Sequence, residues 1–219
     1  MTAWSSEAEE NYLKLIYEVA LDESPVRTSQ LAEGLDLSMS TVSEMLKRLS
    51  KRKLIRRQPY HGVVLTPTGR KRALKIIRRH RLWETFLYRV LGVPWSRIHH
   101  HACRLEHGTD DELEEALDQH LGAPTFDPHG DPIPSAAGKI TELHRLRLDE
   151  VEDGEAAEIH QCTNENPKLL SYLASLGLQP GVQVRVLSHA PFEGPLTVSI
   201  GGKEHALGLS VAKTLLVKT

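Results

Sequence analysis

The chain has 219 residues, 40% of them hydrophobic and 26% charged, with a formal net charge of −2; it is an ordinary globular composition, long enough for two or three small domains. No apolar run nears the ~18 residues of a membrane span, and the acidic start with Glu7, Glu9 and Glu10 does not read as a secretory signal. The two cysteines, Cys103 and Cys162, lie far apart and exclude a disulfide framework, so a reducing, cytoplasmic location is expected.

The near-neutral sum hides two opposed segments. Residues 45–81 carry 14 Lys or Arg and no acid, whereas residues 82–166 carry 6 basic against 18 acidic residues, a balance of −12. An acid-free basic stretch of this length favours a polyanion partner, and the acidic middle suits cations.

In chain order, Leu13, Ile16, Tyr17 and Ala20 follow helical spacing and predict an amphipathic first helix. After Pro25, Thr28 is placed to cap a short helix that Gly34 ends, and Ser40 to cap a second with Val42, Met45, Leu46 and Leu49 on its apolar face. Two short helices joined by a tight turn, the second polar and basic outside, match a helix-turn-helix. Residues 54–58 and 63–65 read as a hairpin with turn residues at its tip, the wing of a winged variant. Thr66-Pro67 launches a long helix to about Val90. A further helix is expected over residues 95–107, and Thr109-x-x-Glu112 is a capping box opening another through Leu121. Residues 122–138 are rich in Pro and Gly and read as irregular; a short helix and the acidic stretch 148–158 follow. Asn166-Pro167 opens a helix ended by Gly177, and residues 183–187, 196–200, 204–206 and 215–217 are short β-runs of a small barrel.

The chemistry lies on the two helices after the wing. His80 and Glu84, four apart, share a helix face. His99, Cys103, Glu106 and His107 fall at about 0°, 40°, 340° and 80° on an α-helical wheel, a single arc with His100 at its edge. Imidazole, thiolate and carboxylate on one stripe are what a divalent transition metal needs and are poor core material.

Here the sequence resembles a known family. Glu10-Asn11-Tyr12-Leu13-x-x-Ile16-Tyr17, Ser40-Thr41-Val42-Ser43, Leu65-Thr66-Pro67-Thr68-Gly69, His80-Arg81-Leu82-x-Glu84, His99-x-x-x-Cys103-Arg104-x-Glu106-His107 and Gly130-Asp131-Pro132-Ile133-Pro134 are similar, in order and spacing, to the diphtheria-toxin-repressor family of iron- and manganese-dependent regulators. Residues 176–219 resemble the SH3-like barrel of longer members and of ferrous-transport accessory proteins. The resemblance implies a mainly α fold with small β parts: a winged helix-turn-helix over residues 1–75, an all-helical metal-binding and dimerisation domain over 76–142, and a linker with the SH3-like β-barrel over 143–219. It implies a non-enzymatic repressor, a homodimer on palindromic double-stranded operator DNA, with Mn(II) or Fe(II) as cofactor at two ions per subunit. No membrane and no organic small-molecule substrate are expected.

The implied primary metal position uses Cys103, Glu106 and His107 with the side chain of Asn11, and Glu10 is the next candidate there. The implied ancillary position uses His80, Glu84 and His99 with donors lent by the barrel, for which Gln161 and Glu165 are candidates. Iron-type members carry Met and manganese-type members Asp at the position of Asn11, and manganese-type members carry a further acid at that of Lys14; Cys103 matches the iron type. Without metal, the acidic end of the first helix, Glu9 and Glu10, lacks a cation to hold it to Glu106 and His107. With metal, the first helix is clipped to the dimer core and the spacing of the recognition helices is fixed.

On DNA, Arg27, Ser38, Thr41, Ser43 and Lys47 are expected mainly at phosphates, with Arg48 and Lys51 beside them. Met39, Ser40 and Glu44 lie early on the recognition helix, where base edges are reached, and Tyr60 and His61 sit at the wing tip. Three other classes compete with this reading. A winged-helix regulator sensing a non-metal ligand would share the first 75 residues but not the metal stripe. A metal-binding accessory protein without DNA activity would explain the barrel but not the helix-turn-helix. A metallohydrolase would want an open metal position and a general base in a cleft, and no zinc-protease motif or nucleophile elbow is present.

Overall fold

The computed structural model describes residues 7–58, 61–141 and 146–219. Tyr60 lies outside them, as do residues 142–145, on which much of the expected short helix falls. The chain divides into two compact units: residues 1–79 with 106–108 and 134–139, and residues 80–105 with 109–133 and 140–219.

The first unit opens with α1 (Glu7–Val19), α2 (Thr28–Gly34) and α3 (Met39–Lys51), followed by an antiparallel pair, β1 (Ile55–Gln58) and β2 (Gly62–Leu65). Leu13, Ile16, Leu31, Val42, Leu46, Leu49, Ile55 and Val63 are buried together as its core, each apolar side chain contributing about 1.5–3 kcal/mol by leaving water. Val26, between α1 and α2, bridges to Val63 and ties the wing to the helices. The polar outer face of α3 is exposed, as a recognition helix requires.

Two caps differ from the expected ones. Ser38, in extended conformation, caps α3 by accepting from the Thr41 amide, so the helix starts two residues before the expected point and Ser40 lies in its first turn. The residue whose extended backbone aims its oxygen into the first turn becomes the cap, and composition alone does not separate Ser38 from Ser40. Likewise α2 begins at Thr28 with Arg27 at the cap position, where Gln30 Oε1 accepts from the Arg27 amide.

The long α4 (Pro67–Arg89) starts in the first unit and ends in the second. Thr66 Oγ1 accepts from the Gly69 amide and also reaches the carbonyls of Lys53 and Leu54. A Cβ at Gly69 would stand 1.9 Å from the Leu54 oxygen, so only glycine permits this launch.

The second unit holds the rest of α4, then α5 (Ile98–Leu105) and α6 (Asp111–His120), then a five-stranded antiparallel sheet. The expected helix over 95–107 is not continuous. Residues Trp95–Arg97 and Glu106–Gly108 are 3-10 turns at either end of α5, the tighter coil that helix ends adopt. Asp110 rather than Thr109 caps α6, because the Thr109 hydroxyl is already engaged with Trp83 Nε1 at 2.7 Å and the Leu105 carbonyl at 2.9 Å.

The sheet comprises β3 (Ala156–Cys162), β4 (Gln183–His189), β5 (Leu196–Ile200), β6 (Lys203–Leu207) and β7 (Leu215–Lys218) in the order β6-β5-β4-β3-β7, with α7 (Pro167–Leu176) between β3 and β4. Asn166 caps α7 and Gly177, at φ +76°, ends it. Strand β3 falls partly in the stretch read from sequence as merely acidic. The fold class is as expected: helical parts with small β elements. Leu87, Trp95, Ile98 and Ala102 of the helices form one apolar cluster with Leu148, Ile159, Leu170, Val184, Val198 and Val217, seating the sheet on the helices of this unit.

Candidate metal centres and nucleic-acid interface

Within the first unit, α1 meets the 106–108 turn through a compact set of polar contacts. Because α5 stops at Leu105, the 3-10 turn presents Glu106 and His107 out of helical register. His107 Nε2 lies 3.0 Å from Asn11 Oδ1 and 3.3 Å from Glu106 Oε1, so an amide oxygen and a carboxylate oxygen both face one ring nitrogen. On the opposite side of the ring, His107 Nδ1 meets Glu10 Oε2 at 2.7 Å, the carboxylate–imidazole pairing that orients a metal-ligating histidine. Lys14 Nζ donates to Glu106 Oε2 at 2.9 Å, with both side chains almost wholly buried. Burial opposes a charged His107, but the Glu10 hydrogen bond and the negative charges of Glu106, Glu10 and Glu7 outweigh it and raise its pKa. An amide oxygen, a carboxylate and an imidazole held this way fit a divalent first-row cation.

Within the second unit, His80 Nε2 lies 3.0 Å from Glu84 Oε1 and 3.2 Å from His99 Nδ1, and His99 Nδ1 also pairs with Glu165 after β3. One donor atom from each of these four residues lies within 4.8 Å of the others. Cys103 Sγ is 3.4 Å from His99 Nε2, and His80, His99 and Cys103 form an overlapping cluster. Burial alone would lower the His99 pKa; its hydrogen bonds to Cys103, Glu165 and Glu84 reverse this and push it up to about 12. Burial would raise Glu84, yet the charges and hydrogen bonds of His80, His99 and His129 hold it well below the usual carboxylate range.

Two residues not singled out from sequence, His129 and Asp127, border this cluster. His129 is fully buried with its Nε2 3.7 Å from Glu84 Oε1, and neither ring nitrogen has a hydrogen-bond partner among the described residues. Glu84 Oε2 and Asp127 Oδ2 are likewise buried without one. Burial, with the charges of Asp131 and Glu84, raises Asp127 well above the carboxylate range despite Arg81. Orphaned buried acceptors are costly, and this many unsatisfied donor atoms fit a cation-binding site. Gln161 Nε2 donates to Asp131 Oδ1 at 3.1 Å, and Arg81 Nη2 donates to the same oxygen at 3.0 Å. The loop holding Asp127, His129 and Asp131 lies against β3, since a Cβ at Gly130 would stand 1.9 Å from the His160 oxygen.

The expected DNA-facing residues Arg27, Ser38, Met39, Ser40, Thr41, Glu44, Lys47, Arg48, Lys51 and His61 are exposed, and Ser43 is half-buried. Ser38 Oγ lies 2.8 Å from the hydroxyls of both Ser40 and Thr41. Lys47 pairs with Glu44 at 2.6 Å and Arg27 with Glu23 at 2.9 Å. Glu9, expected to lack a cation without metal, is instead held by Arg48 and Arg52 of the recognition helix end. Among the described residues, no helix is long and apolar enough to cross a membrane.

Three family models match along the chain. They are an iron-dependent repressor N-terminal DNA-binding domain over residues 5–63, an iron-dependent repressor metal-binding and dimerisation domain over 66–135, and a FeoA domain over 146–219. The chain is 34% identical over 181 residues to the diphtheria toxin repressor of Corynebacterium jeikeium, covering 82% of this chain and 72% of that one. It is 31% identical over 208 residues to the iron-dependent repressor IdeR of Mycobacterium tuberculosis, covering 90% of each. Among solved structures, a manganese-dependent transcriptional repressor in complex with manganese aligns at a TM-score of 0.86 and 36% identity, covering 96% of this chain and 99% of that one. ScaR with bound Cd2+ aligns at 0.81 and 32%, with the same coverage. With the metal-donor clusters and the exposed helix-turn-helix described above, these matches show that the chain belongs to the diphtheria toxin repressor and IdeR family of metal-dependent transcriptional repressors.

Proposed function

We propose that this repressor acts in the cytoplasm as a homodimer on a palindromic operator and controls metal-homeostasis genes in response to Mn(II) or Fe(II), with one ion at each of two centres per subunit. The observation that carries the reading is the convergence of Asn11 Oδ1, His107 Nε2 and Glu106 Oε1, which join the first helix of the DNA-binding fold to the 106–108 turn. Relatives whose structures are described as manganese-dependent, and others named iron-dependent, supply the two metals.

At the first centre we assign Asn11, Glu106 and His107 as ligands and Glu10 as the carboxylate that orients His107. Cys103 remains a proposed ligand there on the family resemblance alone, since its contact in this structure is with His99. At the second centre we assign His80, Glu84, His99 and Glu165, with His129 and Asp127 as additional donors and Gln161 holding Asp131. A bound divalent cation would add positive charge among these clustered acceptors. Asn11, Glu106 and His107 then hold α1 in one position, and α1 in turn sets the pose of α3. Shifting such an equilibrium from 1:99 to 99:1 requires about 5.5 kcal/mol of differential affinity, well within the ~10–16 kcal/mol that structural zinc sites reach. Once posed, α3 offers Met39, Ser40 and Glu44 to base edges, while Lys47, Lys51 and Arg27 neutralise phosphates. Domain boundaries near residues 75 and 142 accompany this reading.

The test is operator gel shift with Glu106→Ala and His107→Ala. Both should remain folded dimers that lose metal-dependent operator binding. Unchanged operator affinity at saturating Mn(II) and Fe(II) would remove the first centre from the mechanism.

A further inference from the structure

Four residues on two turns of α1 divide between two neighbours. Glu10, Asn11 and Lys14 contact Glu106 and His107. Glu9 points elsewhere: its carboxylate is 1% exposed, accepts from Arg48 Nη2 at 3.3 Å, and pairs also with Arg52 Nη1. Arg48 lies in the last turn of α3 and Arg52 is its C-terminal cap residue. The same short stretch of helix therefore grips the candidate first metal centre and the end of the recognition helix.

Resting on the repressor reading above, we propose that Glu9 is the positioning residue that couples occupancy of the Asn11–Glu106–His107 centre to the pose of α3. A carboxylate this buried is strongly disfavoured without its counter-charges. Any adjustment of α1 that keeps Glu9 buried must carry Arg48 and Arg52 with it, so α1 and the end of α3 move as one body. Two guanidinium groups from one helix terminus fix orientation as well as distance, because each offers a planar set of donors. Glu9 is assigned neither as a metal ligand nor as a DNA contact. Its effect is on the communication between metal and DNA, and thermodynamic coupling between two bound species is reciprocal.

The experiment titrates Mn(II) into the full-length protein with and without an operator duplex, at one ionic strength, for wild type, Glu9→Gln, Arg52→Gln and the double variant. In wild type, operator should tighten Mn(II) binding by the same factor by which Mn(II) tightens operator binding. In Glu9→Gln that factor should fall by about tenfold or more, while Mn(II) affinity without DNA stays within about threefold of wild type. Arg52→Gln should reproduce the loss, and the double variant should lose little beyond either single one, as expected for two partners of a single interaction. A Glu9→Gln protein with the wild-type factor overturns the proposal. So does one in which Mn(II) affinity falls in parallel with DNA affinity, since Glu9 would then merely support the fold. If Glu9→Gln proves insoluble, the more exposed Arg52→Gln decides by the same two criteria. A wild-type factor of one overturns the repressor reading itself, and this coupling with it.

Discussion

Lys14→Met probes the first centre in the metal-free protein. Lys14 Nζ is 2.9 Å from Glu106 Oε2, with side-chain exposures of 10% and 1%. Substitution by Met preserves length and apolar packing but leaves the Glu106 carboxylate without that ammonium. Removing one partner of a buried pair destabilises by about 3–5 kcal/mol, because the remaining charge cannot return to water. At ~2–4 °C per kcal/mol for a chain of this size, the metal-free melting temperature should fall by about 6–20 °C. Saturating Mn(II) stabilises wild type by mass action, about 2.7 kcal/mol at a hundredfold excess over Kd. The variant should gain more than wild type, because the divalent charge also neutralises the abandoned carboxylate. The assay is thermal and urea unfolding followed by circular dichroism, in chelator and in Mn(II). Lys14→Gln, which keeps a donor for Oε2, should fall between the two proteins. A Lys14→Met protein as stable as wild type in chelator would refute the ion-pair argument. A deficit that Mn(II) leaves undiminished would separate Glu106 from the metal.

The raised pKa of His99 favours the metal-free fold below its ordinary value and is progressively lost as pH rises toward about 12. Metal-free stability attributable to His99 should therefore decline from pH 6 to 9, and His99→Gln should flatten that decline in urea melts. His129→Phe keeps the ring stacked near Trp95, whose centroid is 5.3 Å away; it should leave metal-free stability near wild type yet weaken the second centre by about 10–100-fold in Mn(II) titrations. Asn11→Asp should shift metal preference toward Mn(II) and Asn11→Met toward Fe(II), read as the ratio of activating free-metal concentrations; an unchanged ratio in both would exclude residue 11 as a ligand. Lys47→Ala should weaken binding to all operators alike and reduce the slope of log affinity against log salt by about one unit, whereas an unaltered slope would place Lys47 away from phosphate.

The helix-turn-helix, the wing and the long helix after Thr66-Pro67 were legible because periodicity, a proline at the first helical turn and an acid-free basic stretch all point the same way. Strand β3 was not. Glu158, His160 and Gln161 give it a polar signature, yet His160 and Gln161 are buried because the strand is paired on both sides and its polar side chains meet the loop at Phe126 and Asp131. The site was legible where helical spacing carried it: His80 with Glu84, and His99 with Cys103. The wheel placed Glu106 and His107 on the same arc as His99, but the chain tightens to a 3-10 turn after Leu105 and carries them to α1 instead. Asp127 and His129 lie in a Pro- and Gly-rich loop where no period exists to betray a shared direction. Their only sequence signal was an Asp-x-His-x-Asp spacing within an otherwise apolar and irregular segment. The pairing of Glu9 with Arg48 and Arg52 spans about forty residues and is made by long side chains reaching from the end of α3 to α1, which no local pattern encodes.

Metal gating of operator binding is best measured as the affinity of the wild-type protein for a palindromic operator across buffered free Mn(II) and Fe(II) concentrations, with a chelated control at the same ionic strength. Binding should be weak and salt-sensitive in chelator. It should rise at least tenfold, about 1.4 kcal/mol, as either metal saturates the protein, and half-sites displaced from an integral helical-turn spacing should abolish the rise. Equal operator affinity with and without metal would rule out metal gating.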